Sequence, residues 1–137
     1  MIETIVTATI RVLVVLEVAV FLFAALLHLG VRIPIGFTVL AEPQIIGAAI
    51  VEGLCGLFLA VSAYALFARG SWAWLAATAA HVFALAGVLF GMFALAQGWG
   101  PRTESNDIYH QVMLLLLIVG LLLLATPIAR TALGHSS

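Results

Sequence analysis

Residues 49–58 read AIVEGLCGLF, with one carboxylate, Glu52, in an otherwise uncharged run. A charge at the centre of a bilayer costs roughly 2.5–3.5 kcal/mol on insertion scales. Something must make Glu52 tolerable or useful there, if this run crosses a membrane. Composition says that it does. Of the 137 residues, 65% are hydrophobic and 8% charged, against about 25% charged in soluble domains. Such a chain cannot cover a water-facing surface with polar groups, and the bilayer is the solvent that suits it. The length allows a single polytopic domain, 1–137, with no separate soluble module. The net charge is −1 and lysine is absent, which excludes the clustered basic face of a nucleic-acid binder. The single cysteine, Cys55, has no intrachain disulfide partner. It reads as a small buried hydrophobe rather than a ligand.

Working outward from Glu52, four apolar segments are each long enough to span about 30 Å as helices. They run approximately 5–29, 43–67, 71–96 and 107–129. The first exceeds a signal-peptide core, contains Arg11 and Glu17, and reads as a retained helix. Pro43 suits the first turn of the second helix. Ser71 suits an N-cap for the third, and Ser105 or Asn106 for the fourth. Pro127 marks a frayed end. Trp72, Trp74, Trp99 and Tyr109 fall at segment ends, as an aromatic belt requires. The expected fold is an all-α four-helix transmembrane bundle with both termini on one side, here named side A. Arg11, Arg69 and Arg130 belong to side A, and Arg32 and Arg102 to side B. Three against two places the termini in the cytoplasm by the positive-inside rule, in a multi-pass protein of the bacterial inner-membrane type. The side B connection 30–42 is apolar and too short to span. It reads as an interfacial loop or as a lid over a cavity open to side B.

Every helix carries an ionisable group. Glu17 and His81 lie near mid-membrane, Glu52 somewhat toward side B, His110 further, and His28 at the side B end. Glu17 and His28, eleven residues apart, share a face of the first helix. Small residues surround Glu52 (Ala49, Gly56, Ala60) and His81 (Ala77, Ala84), and Gly87 and Gly91 form a GxxxG. Small residues mark close helix approach, so these polar groups face the bundle interior.

Three functions compete for them. A structural network would fix the register of the bundle, although hydrogen bonds in membranes average only about 0.6 kcal/mol. A metal site would take one ligand from each helix, Glu17, Glu52, His81 and His110, with Asp107 three residues before His110 on the same face. Iron, manganese or zinc suits such a donor set, and haem between His28 and His110 is a variant. A proton or ion path would use the same groups as a staircase from mid-membrane to side B. Side A contributes only Arg11, so a half-channel fits better than a full crossing. The long Leu face of the fourth helix and the small-residue faces suggest a homo-oligomer or a non-catalytic accessory subunit of a larger membrane complex. No catalytic triad, nucleotide-binding motif or lipidation motif accompanies these groups.

Overall fold

A computed structural model describes residues 1–134. Four long helices, α1 (Ile2–His28), α2 (Ile46–Phe67), α3 (Ala73–Ala96) and α4 (Glu104–Ala125), run alternately up and down. All four are long and apolar enough to cross a membrane. They are packed in a ring, each against its chain neighbours, with α1 also against α4. A short helix, α5 (Pro127–Gly134), folds back onto α1 and α3 at side A. Both termini of the bundle therefore lie at one end.

The interior is set by a spacing of three and four residues. On α1 the buried positions include Ile10, Val14, Glu17, Phe21, Ala24 and His28. On α4 they are Asn106, His110, Met113, Leu117, Gly120 and Leu124. This is the seam of a left-handed bundle, and the polar residues occupy seam positions. The helices are apolar on every side, so lipid-facing residues such as Leu115 and Leu122 remain exposed. Small residues supply much of the rest of the seam, including Ala49 and Gly56 on α2 and Ala77 and Ala84 on α3. The small-residue faces of α2 and α3 are thus used within the bundle, while the Leu face of α4 stays exposed.

Several local expectations are corrected. Pro43 lies outside α2, which starts at Ile46 after the Ile45 N–H donates to His28 O (3.0 Å). Trp72, rather than Ser71, precedes α3, and no side chain caps it. Thr103 caps α4, its hydroxyl accepting from Asn106 N at 3.1 Å. Pro127 does not fray the last helix. Thr126 is extended, caps Ala129 N at 3.2 Å, and Pro127 opens α5, the first-turn position proline favours. The 30–42 connection contains a hairpin, β1 (Ile33–Ile35) with β2 (Thr38–Leu40), Ile35 opposite Thr38. Gly36 has φ +58°, as the first central residue of a type II′ turn requires. Beyond it, Glu42 accepts hydrogen bonds from Thr103 (2.8 Å) and Ser105, which tie this connection to the start of α4.

Candidate functional site

The inward polar residues form two pairs at two depths. Glu17 and His81 are fully buried and meet near mid-membrane, Oε2 to Nε2 at 3.2 Å. They join α1 and α3, which lie diagonally across the ring, so the pair crosses the bundle axis. His28 and Glu52 meet toward side B, Nδ1 to Oε2 at 2.8 Å. Eleven residues of α1, about 16 Å of rise, separate Glu17 from His28. Between the two levels lies an apolar layer that includes Phe21, Leu59, Ala84, Met113 and Leu117.

Helix direction explains the pairing. Side chains lean toward the N-terminus of their helix. α1 and α3 both start at side A, so Glu17 and His81 lean the same way and meet at matching levels. α1 and α2 are antiparallel. His28 leans into the bundle while Glu52 leans out toward side B, which closes the offset between their Cα levels.

Hydrogen bonding fixes the mid-membrane chemistry. His81 Nδ1 is 2.7 Å from Ala77 O. A carbonyl only accepts, so Nδ1 carries hydrogen and donates. Nε2 of a neutral ring then presents a lone pair to Glu17. Two lone pairs at 3.2 Å repel, so a proton must reside either on Glu17 or on Nε2. Either form holds one proton and no net charge. Both Glu17 oxygens and His81 Nε2 have no well-aligned hydrogen-bond partner among the described residues. Gly120 of α4 makes the space: a Cβ there would lie 2.5 Å from His81 Nε2.

The side B centre is built differently. The His110 Nδ1–H donates to Asn106 O at 2.8 Å, by the same logic as His81. Its Nε2 lies against Gly91, where a Cβ would come within 2.5 Å. Glu52, Asn106 and His110 line a cavity of about 220 Å³ between α2, α3 and α4. His28, Asn106 and Tyr109 line a second, of about 160 Å³, beneath Leu40 and Glu42. The His28–Glu52 pair thus stands between two cavities. His28 Nε2, Asn106 Oδ1 and the Tyr109 hydroxyl are buried without partners among the described residues.

The single four-ligand site is therefore not assembled. Glu17 and His81 lie together, Glu52 is with His28, and His110 is engaged separately. Asp107 lines a cavity with His110, but its carboxylate accepts from Arg102 Nε at 2.7 and 3.0 Å. Among the described residues no group of three or more His, Cys, Asp or Glu side chains is arranged to hold a metal ion. Each pair offers two donors, against the three protein ligands of a catalytic zinc site and the four of a structural one. His28 and His110 line different cavities.

Sequence reasoning put Glu52 and His81 on packing faces and singled out Gly91, and all three lie at helix contacts, but it missed Gly120 and the cavity role of Asn106. Gly120 and Asn106 occupy the same three-and-four seam of α4 as His110, and that spacing is the signal that finds them. At side A, Arg11 donates to Leu66 O at 2.8 and 3.2 Å, and Trp74 donates to Leu124 O at 2.9 Å. These bonds lie toward the side A end of the bundle, where Arg11 lines a cavity with Glu3, Thr7 and Arg69. Comparison with protein-family models, with curated proteins and with solved structures gives no match to this chain.

Proposed function

We propose that this is a multi-pass membrane protein that exchanges protons with side B at the His28–Glu52 pair, a half-path that stops before the mid-membrane pair. The observation that carries it is the position of His28–Glu52, a buried carboxyl–imidazole contact with a cavity on each flank. Intramembrane carboxylates and imidazoles mark proton relays, and histidine changes charge most readily between about pH 5 and 8. Here His28 Nδ1 and Glu52 Oε2 share one hydrogen bond, while Nε2 and the second carboxyl oxygen are the places where a proton arrives or leaves. The apolar layer below insulates Glu17–His81, which braces the diagonal helices.

A pH jump on the protein in nanodiscs, read with an indicator dye, tests this. Wild type takes up protons between about pH 8 and 5, Glu52→Gln loses most of that uptake, and Glu17→Gln keeps it. Uptake that depends on Glu17 and survives Glu52→Gln sinks the reading.

A further inference from the structure

We infer that the cavity between α2, α3 and α4 is a binding site for a small, single-ring lipophilic compound that carries a hydroxyl, a ligand of the phenol class. The inference rests on the reading of Glu52 as the side B functional group, and it adds what that group meets. The cavity holds about 220 Å³. An engineered apolar cavity of about 150 Å³ accommodates benzene, so the space suits one substituted ring and little more. Phe90 and Trp99 stand among its mostly apolar walls, the common composition of ligand sites.

Three buried polar residues line it, and their free atoms are mostly acceptors, with the Asn106 amide N–H group as the donor. Glu52 presents a carboxyl. His110 has committed its Nδ1–H to Asn106 O, which leaves Nε2 of the neutral ring as an acceptor. Asn106 Oδ1 has no partner among the described residues. Acceptors outnumber donors in this set, which favours a ligand that brings a donor, and a hydroxyl can also accept from the Asn106 amide. Glu52 already holds His28 as its imidazole partner, so a neutral hydroxyl fits this centre better than a second cation.

The probe is 4-fluorophenol, followed by fluorine NMR on the protein in nanodiscs, with empty nanodiscs as the partition control. Saturable binding is expected. Fluorobenzene, which lacks the donor, binds at least about tenfold more weakly, because the buried acceptors are then left unmet. Ala94→Phe, which fills the cavity without touching the polar centre, abolishes binding, and Glu52→Gln weakens it. Ala94→Phe keeps the test valid if Glu52→Gln fails to fold. Equal binding of the two probes, binding that survives Ala94→Phe, or tighter binding of 4-fluorobenzylamine overturns the inference. Proton uptake measured on the same samples separates the two claims. Uptake without phenol binding defeats this inference alone, and phenol binding without uptake defeats the proton reading.

Discussion

Gly120→Val destabilises the bundle by about 2–5 kcal/mol, whereas Gly53→Ala on α2 is neutral or stabilising by up to about 1 kcal/mol. Replacing glycine inside a helix normally helps, by roughly 0.8–1 kcal/mol for alanine. At Gly53 nothing lies within 4 Å of an added Cβ, so that gain has no opponent. At Gly120 the Cβ would meet His81 Nε2 at 2.5 Å, His81 Cδ2 at 2.6 Å and Leu13 at 3.2 Å. His81 is fully buried and held by Ala77 O, so the ring cannot swing away without losing that bond. Overpacking costs about 1–3 kcal/mol. A ring driven off Glu17 adds an unmet buried polar group, about 1–3 kcal/mol more. The helix-propensity gain is the smaller quantity, so the net sign is destabilising. Denaturation in a mixed-micelle titration reads it, and a Gly120→Val protein as stable as wild type would contradict the packing described around His81.

The second large effect is non-additive. His81→Leu leaves Glu17 with no polar neighbour and costs about 3–5 kcal/mol, the range for breaking a buried pair from one side. Adding Glu17→Leu to it restores most of that loss, because a paired apolar replacement of a buried ion pair is often neutral or stabilising. A double-mutant cycle therefore shows a coupling of more than about 2 kcal/mol. Additive losses in the cycle would mean that Glu17 and His81 do not act on each other. The same double substitution leaves proton uptake at side B intact, since the apolar layer separates the levels.

These effects also show what was legible in the sequence. The four spans were, because runs of apolar residues long enough to cross a bilayer have few other uses. The inward orientation of Glu17, Glu52 and His81 was too, since polar groups avoid lipid and small residues surround two of them. The pairing was not. Hydrophobic pattern separates inside from outside in water, but in lipid both faces are apolar, and the seam is marked only by size and by rare polar residues. Levels estimated from segment centres left Glu52 and His28 apart. Their contact depends on the opposite lean of side chains on antiparallel helices, and on α2 starting at Ile46 rather than at Pro43. Glu17 and His81 had matching levels, yet choosing them as partners required knowing that α1 and α3 lie diagonally. The four-ligand site failed for the same reason, because one group per helix at similar depth does not determine which groups face each other. The hairpin was hidden because strands of three residues carry almost no period.

The central claim is that the two pairs differ in access: His28–Glu52 communicates with side B, and Glu17–His81 is sealed. Ring-hydrogen exchange in protein labelled with nitrogen-15 histidine, transferred in nanodiscs from water to deuterium oxide, measures this directly. The account predicts that the His28 ring signal exchanges promptly, that the His81 signal persists far longer, and that Gly120→Ala shortens its lifetime. Exchange of His81 as fast as that of His28 would contradict it.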